Sequence, residues 1–283
     1  MANNNLKLHP DLNSIVIVGC QRSGTTLLGQ LLGAQENCFL IDEFEGLYPW
    51  FHSWMSAQVG SVNLLDEVVV KSAKKYKDLR RHYLTHQDLL QKLIIAKAPN
   101  LTYNYLELLN HTPKPDIVFM VRDSRAVVSS MLKLSHIDMA GNQLRLINKH
   151  NELKVRFTED VMYLQDQKLP LHVRLAYLWN IKSGMYHYYI NNNLKPILVK
   201  YESLVISPID SLKKIFNYVS FGFNENVIEH NTVMTGLGPG NTSREMPINS
   251  QSLNKWKHEL TQNQAADILE ITGDLMNDFG YRP

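Results

Sequence analysis

The pattern of apolar and polar positions predicts buried strands that alternate with amphipathic helices. Short apolar runs rich in β-branched residues are typical of strands buried on both faces of a sheet. Four such runs occur along the chain, at Ser14–Val18, Leu93–Ala96, Ile117–Val121 and Ile197–Val199. Helical stretches separate or follow these runs. The order predicts an α/β fold with a central parallel sheet flanked by helices.

Three further segments carry clear helix signals. Residues 171–191 are rich in Leu, Trp and Tyr and form a long predicted helix. Ser207-Pro208 opens another helix, with Ser207 as its N-cap and Pro208 in its first turn. The last helix covers about 262–279 and stops at Gly280.

Two segments are predicted to be irregular or to act as lids. Residues 136–170 are polar and only weakly periodic, and residues 231–250 hold three glycines and a proline within a short stretch. No Pro/Ser-rich linker, repeat or low-complexity tract interrupts the chain, so we expect one domain over residues 1–283 with these segments as insertions.

Charge and cysteine content narrow the functional classes. The net charge of +2 is too small to indicate a nucleic-acid or anionic-membrane binder. Cys20 and Cys38 give no disulfide framework. The polar N-terminal residues lack a signal-peptide core, and no run of about 18 apolar residues occurs. We therefore expect a cytoplasmic protein without a membrane span; the oligomeric state stays open.

A glycine-bounded turn follows the first strand. Gly19-x-x-x-x-Gly24-Thr25-Thr26 has the spacing of the phosphate-binding G-x-x-x-x-G-K-[ST] loop, but Thr25 replaces the lysine. Backbone N–H groups and a helix N-terminus still form an anion site, and Arg22 adds a positive charge. The missing lysine disfavours an ATPase or GTPase and favours a ligand with one phosphate at this point. Alone, the motif also fits a plain strand–turn–helix.

Two segments together resemble a known nucleotide site. Gln21–Thr26 closely resembles the 5′-phosphosulfate loop of sulfotransferases that use 3′-phosphoadenylyl sulfate (PAPS), and residues 118–131 resemble the 3′-phosphate segment of that family. Arg122 at a strand end and Ser130 two turns into the next helix can converge on one phosphate. Alone, Arg122-Asp123 also fits a structural ion pair.

The resemblance extends further along the chain. Tyr201-Glu-Ser-Leu204 and the segment Pro247–Trp256 are similar to later motifs of the family, in the same order. The chain is most similar to tyrosylprotein sulfotransferases and their bacterial relatives, which implies a P-loop-like fold of the sulfotransferase type. The family's nucleotide contacts fall here on Arg22, Ser23, Gly24, Thr25, Thr26, Arg122, Ser130, Tyr201 and Lys255.

The resemblance also implies catalytic roles. Glu43 lies some twenty residues after the loop, where the family places a glutamate as general base. Asp42 and Glu45 are close enough in sequence to leave the register open, with Glu45 the next choice. Lys97 matches a lysine near the leaving-group oxygen, and Arg22 shares that role.

The implied reaction is in-line transfer of a sulfuryl group from PAPS to a hydroxyl acceptor, which is a peptide tyrosine, a glycan or a small molecule. Because a cationic side chain can stabilise the transferring group, no metal is expected. The alternatives are a nucleotide or small-molecule kinase on a degenerate P-loop and a catalytically inactive nucleotide-binding protein. A histidine base, His52 or His111, is a minor alternative.

Overall fold

A parallel sheet forms the centre of the molecule. The computed structural model describes residues 13–43, 51, 61–110, 114–239 and 242–281. Its strands are β1 (Ser14–Gly19), β2 (Cys38–Ile41), β3 (Leu93–Lys97), β4 (Asp116–Val121), β5 (Ile197–Lys200), β6 (Leu237–Gly238) and β7 (Thr242–Ser243). The first five form one parallel sheet in the order β2-β3-β1-β4-β5, and β6 and β7 form a short antiparallel hairpin.

Helices account for most of the remaining chain. They are α1 (Thr25–Ala34), α2 (Ser61–Ala73), α3 (His86–Leu90), α4 (Tyr105–Asn110), α5 (Ser124–Leu132), α6 (Met139–Ile147), α7 (Asn151–Arg156), α8 (Thr158–Gln165), α9 (Leu171–Asn191), α10 (Tyr201–Ile206), α11 (Pro208–Tyr218), α12 (His230–Val233), α13 (Trp256–Glu259) and α14 (Gln262–Asp278). Single 3₁₀ turns occupy Leu79–Tyr83, Pro99–Tyr103, Glu225–Glu229 and Gln251–Leu253.

The strand order places the end of β1 at a crevice. β1 lies between β3 and β4, so the chain leaves β1 toward one side of the sheet and returns on the other. Ligands of open α/β sheets bind at such switch points, beyond the carboxyl ends of the strands. All six residues of β1 are buried, which explains its continuous apolar sequence. The glycine-bounded turn and the ends of β2, β3 and β4 therefore meet at one edge.

The α/β fold with a central parallel sheet is confirmed. Each of the four predicted strands is present, and the helices at 171–191, after Ser207 and near the C-terminus have closely the predicted bounds. The strand Cys38–Ile41 was not predicted. It pairs with β3 at the sheet edge and is fully buried. Its signal is a short apolar run between the polar pairs Glu36-Asn37 and Asp42-Glu43.

Residues 136–170 differ from the prediction of an irregular segment, because α6, α7 and α8 lie within them. Asp138 caps α6 by accepting a hydrogen bond from the backbone N–H of Gly141, 2.9 Å away. Each of these helices buries only a few residues, among them Ile147 on α6 and Leu164 on α8. So narrow a buried stripe leaves a weak periodicity in the sequence.

Two observations concern the cysteines and the expected absence of a membrane span. Cys20 and Cys38 are both buried and free. In the part of the chain that the structure describes, no helix has the length and apolar character needed to span a bilayer. The single-domain organisation and the cytoplasmic location stay predictions.

Candidate active site

The turn after β1 requires glycine at both ends. Gly19 has φ 138°, and a Cβ there would lie 2.3 Å from the carbonyl oxygen of Met120. Gly24 has φ 95°, and its Cβ would lie 2.3 Å from Cδ2 of Tyr201. Arg22, between them, also adopts a left-handed conformation with φ 67°, which is uncommon for a residue with a side chain. Such a strained backbone is typical of a loop shaped for a ligand.

Hydrogen bonds inside the turn fix its shape. The buried hydroxyl of Ser23 donates to the carbonyl oxygen of Cys20 over 2.6 Å, so it does not face the cleft described below. The N–H of Gly19 donates to Oγ1 of Thr102 over 2.8 Å. The first backbone N–H groups of α1, at Thr25 and Thr26, have no acceptor within the helix because they open it. They form an anion site at the start of α1.

A cleft of about 560 Å³ opens at this edge of the sheet. It brings together most of the predicted site residues, namely Arg22, Gly24, Thr25, Thr26, Glu43, Arg122, Ser130, Tyr201 and Lys255. Ser23 and Lys97 lie behind its wall and are fully buried. Lys255 is exposed at the start of α13.

Two guanidinium groups, which we name the arginine pair, lie side by side in the cleft. Nε of Arg22 donates to Oγ of Ser130 over 2.9 Å, and Nη1 of Arg122 donates to the carbonyl oxygen of Arg22 over 3.1 Å. Within the described part of the chain neither group pairs with a carboxylate, and Nε of Arg122 is a buried donor without an acceptor. Burial, and then the charge of Arg122, lower the pKa of Arg22. The cleft thus concentrates positive charge.

Neighbouring side chains hold Arg122 in place. Its guanidinium lies 4.2 Å above the ring of Tyr201, and its Nη2 donates to the carbonyl oxygen of Ser252 over 2.7 Å. The hydroxyls of Tyr201 and Ser252 are 2.6 Å apart. The buried indole of Trp179 donates to the carbonyl oxygen of Arg122 over 3.1 Å. The donors of Arg122 are therefore preorganised.

The alternative of an Arg122–Asp123 ion pair does not describe the structure. The carboxylate of Asp123 pairs with Arg125 over 2.8 Å and accepts a hydrogen bond from the backbone N–H of Arg125, which caps α5. The guanidinium of Arg125 lies 4.3 Å from the ring centre of Trp256. Asp123 thus stabilises the start of α5 and leaves Arg122 available.

A buried ionic group, which we name the Asp42 cluster, lies behind the loop; it consists of Asp42, Lys75, Lys97 and Arg244. Asp42 is fully buried and lies 2.7 Å from Nζ of Lys97, 2.5 Å from Nη2 of Arg244 and 3.7 Å from Nζ of Lys75. Burial alone would raise the pKa of Asp42, but these cations hold it well below its usual range. Burial lowers the pKa of Lys75 to about 8.

The three acidic candidates for the base occupy different places. Asp42 is enclosed by cations, whereas Glu43 lines the cleft with a quarter of its side chain exposed. Oε2 of Glu43 lies 3.6 Å from Nζ of Lys97. Glu45, like His52 and His111, lies outside the described residues. The ammonium of Lys97 faces Asp42 and donates to Oγ1 of Thr26, a cleft-lining residue, over 3.2 Å. The role of Lys97 beside a leaving group stays a prediction.

Sequence reasoning missed two residues near the cleft. Arg244 joins the Asp42 cluster from 202 residues away in sequence, and no local pattern announces that contact. His230 lines the cleft although it is only 1% exposed. Burial lowers its pKa, and its Nδ1 lies 3.3 Å from the carbonyl oxygen of Ile228. Among the described residues no group of three His, Cys, Asp or Glu is placed to hold a metal ion, so metal independence stays a prediction.

Comparison with known proteins agrees with this architecture. The structure resembles the sulfotransferase domain from the curacin biosynthetic pathway, with a TM-score of 0.56 and 14% identity over 93% of this chain and 97% of the other. It resembles the sulfotransferase domain of the Synechococcus PCC 7002 olefin synthase, with a TM-score of 0.58 and 15% identity over 97% of both chains. At these identities the likeness shows the fold. A family model described as the sulfotransferase family matches residues 14–225. The chain therefore belongs to the sulfotransferase family and is a sulfotransferase.

Proposed function

We propose that this enzyme transfers the sulfuryl group of PAPS to a hydroxyl acceptor, with Glu43 as general base. The observation that carries the proposal is the arginine pair, a half-buried and a buried guanidinium group without a carboxylate partner in the described chain, at the open end of a helix. Such an arrangement is electrostatically unfavourable until an anion binds. A nucleotide with separate 5′ and 3′ phosphate groups offers anions at both ends of this site.

In this proposal the nucleotide extends from the start of α1 to Arg122 and Ser130. The 5′-phosphosulfate binds at the backbone N–H groups of Thr25 and Thr26, as anions do at helix N-termini. The 3′-phosphate binds Arg122 and Ser130, whose hydroxyl already accepts a hydrogen bond from Arg22. The unpartnered Nε of Arg122 supplies a donor for it. Lys255 at the rim adds a further charge.

The chain's own groups then perform the transfer. The carboxylate of Glu43 takes the proton of the acceptor hydroxyl, whose oxygen forms a bond to sulfur. The bond between sulfur and the bridging phosphate oxygen breaks, and the released charge leaves with adenosine 3′,5′-bisphosphate (PAP). Arg22 and Thr26 stabilise that charge. Lys97 acts behind them, because its ammonium donates to Thr26 and lies 3.6 Å from Glu43.

Apolar side chains form another part of the cleft and favour an acceptor with an uncharged ring or chain. They are Leu134, Ile137, Met139, Met246 and Ile248. Amide groups connect the loop to α6, the helix that begins at Met139: Nε2 of Gln21 and Nε2 of Gln143 both donate to Oδ1 of Asn100, over 2.6 and 3.0 Å. We expect phenols and apolar alcohols to be better acceptors than acidic peptides or glycans.

The test is a transfer assay with purified protein. PAPS is incubated with simple phenols, apolar alcohols, a tyrosine peptide and a glycan, and both PAP and the sulfated product are measured. We expect PAP and product to form in equal amounts, and EDTA to leave the rate unchanged. Phosphate transfer from ATP, or PAP release with no sulfated product from any acceptor, would contradict the proposal.

A further inference from the structure

The β6–β7 hairpin is seated directly on the phosphate-binding turn. The carbonyl oxygen of Pro239 accepts a hydrogen bond from Nη1 of Arg22 over 3.2 Å. Gly238 packs so closely that a Cβ there would lie 2.9 Å from Cγ2 of Thr26. Since Arg22 and Thr26 are also the residues proposed to bind the phosphosulfate, the position of the hairpin affects the shape of the nucleotide site.

One side chain connects this hairpin to the interior. Arg244 follows β7 and is only 3% exposed. Its backbone N–H donates to the carbonyl oxygen of Gly236 over 3.0 Å, and its Nη1 donates to the carbonyl oxygen of Leu237, so it bridges both strands. Its Nη2 donates a hydrogen bond to Oδ2 of Asp42 over 2.5 Å. The planar guanidinium can make both contacts at once, which a lysine ammonium at that position cannot do with the same geometry.

The other oxygen of Asp42 orients the catalytic side of the cleft. Oδ1 lies 2.7 Å from Nζ of Lys97 and accepts a hydrogen bond from the backbone N–H of Glu43 over 2.7 Å. A single buried carboxylate thus joins the hairpin, through Arg244, to the residues at the ends of β2 and β3. Oδ2 contacts the hairpin through Arg244, and Oδ1 contacts Lys97 and the backbone of Glu43.

We propose that Arg244 is a positioning residue that, through Asp42, holds the β6–β7 hairpin on the phosphate-binding turn and so preorganises Arg22 for the nucleotide. This rests on the proposed function, in which Arg22 binds the phosphosulfate. Arg244 acts through other residues, because its guanidinium is buried behind the cleft. Without it, Pro239 no longer holds Arg22, and binding has to order both the hairpin and the arginine.

The charges of the Asp42 cluster decide which variant tests the proposal. Arg244→Gln leaves Asp42 paired with Lys97 and Lys75, so the protein is expected to fold. Arg244→Lys keeps the charge but loses the fork that reaches both Asp42 and Leu237. Arg80→Gln is the matched control, because it removes an arginine that pairs with Asp78 over 2.9 Å on the exposed surface.

The experiment combines hydrogen exchange with calorimetry on full-length protein. In Arg244→Gln we expect faster exchange in peptides that cover residues 236–246 and a PAP dissociation constant raised about ten-fold, the scale of one hydrogen bond to a charged group. Arg244→Lys falls between this variant and the wild type. Arg80→Gln leaves both quantities unchanged.

The outcomes separate this inference from the proposed function. Wild-type exchange and wild-type PAP affinity in Arg244→Gln would overturn the inference, and Arg244→Lys decides in the same way if the glutamine variant does not fold. If the wild-type protein itself fails to bind PAP, the proposed function fails. The exchange of residues 236–246 then still tests whether Arg244 seats the hairpin: acceleration supports the seating, and unchanged exchange overturns it.

Discussion

The arginine pair and the Asp42 cluster lie beside the same turn, and their positive charges have different partners. Arg22 and Arg122 donate to carbonyl and hydroxyl oxygens, and no described carboxylate neutralises them. In the Asp42 cluster the cations surround a fully buried carboxylate. Cations that the protein leaves without an anion, in an open cleft, are available to a ligand. Cations that share a buried carboxylate inside the protein hold the site together.

The pKa shifts express the same difference. In the arginine pair, burial and the neighbouring charge both lower the pKa of Arg22, so the pair is stabilised by any bound anion. In the Asp42 cluster, the cations hold the pKa of Asp42 well below its usual range despite burial. The first arrangement is completed by ligand binding, and the second is complete on folding.

The largest effect is expected from Glu43, which lines the cleft beside the Asp42 cluster. Glu43→Gln removes the proton acceptor, so we expect kcat to fall about 10²- to 10⁴-fold. The PAP dissociation constant should stay unchanged, because the glutamine keeps the shape and the arginine pair is intact. Steady-state kinetics and calorimetry measure the two quantities. Glu67→Gln, on the exposed face of α2, is the control; unchanged kcat in Glu43→Gln would place the base elsewhere.

Breaking each group in turn should affect different properties. Arg122→Ala removes ligand donors, and we expect the PAP dissociation constant to rise about 10- to 150-fold. Asp42→Asn leaves three buried cations without their carboxylate, which costs about 3–5 kcal/mol of stability and about 10 °C in melting temperature. Calorimetry and thermal unfolding are measured on both variants. The comparison fails if Arg122→Ala destabilises the protein more than Asp42→Asn, or if its PAP affinity is unchanged.

Lys182 is a buried cation that does not line the cleft. It is fully buried, and its ammonium donates to the carbonyl oxygen of Pro99 over 2.6 Å and lies 4.0 Å from the ring centre of Tyr103. Burial lowers its pKa to about 7. Among the described residues no carboxylate forms an ion pair with Lys182, so burial dominates and favours the neutral amine.

The lowered pKa of Lys182 makes the stability of the protein depend on pH. Between about pH 7 and the ordinary range of a lysine, the unfolded chain holds the proton and the folded protein does not, so the contribution of Lys182 makes stability rise with pH. The slope is at most about 1.4 kcal/mol per pH unit. Lys182→Met should remove this slope, measured as melting temperature from pH 7 to pH 9. Lys200→Met, at the end of β5, is the control; equal slopes in Lys182→Met and wild type would contradict the assignment.

Local sequence signals predicted the frame of this enzyme well. The sequence signals of the run Ser14–Val18 and of the glycines at 19 and 24 are local. Burial on both faces restricts the residues of the strand, and a positive φ restricts the residues of the turn. Helices such as α9 and α14 have long periodic stretches. The helices between 139 and 165 were missed because each buries only a narrow stripe.

The interior of the site was less predictable. Motif resemblance assigned Arg22, Arg122 and Ser130 to one nucleotide site, and in the structure Arg22 contacts both Ser130 and Arg122. The link between Asp42 and Arg244 depends on the packing of a hairpin against a distant strand end, which no short-range pattern encodes. For the same reason, sequence alone could not distinguish a cleft-lining Glu43 from a buried Asp42.

Calorimetric titration of the wild-type protein with PAP, 5′-AMP and ATP tests whether the cleft binds a nucleotide through its 3′-phosphate. If Arg122 and Ser130 bind the 3′-phosphate of the nucleotide, PAP binds at least about ten-fold more tightly than 5′-AMP, which lacks that group, and more tightly than ATP. Equal affinity for PAP and 5′-AMP, or a preference for ATP, would contradict the assignment of Arg122 and Ser130 and the donor proposed for this sulfotransferase.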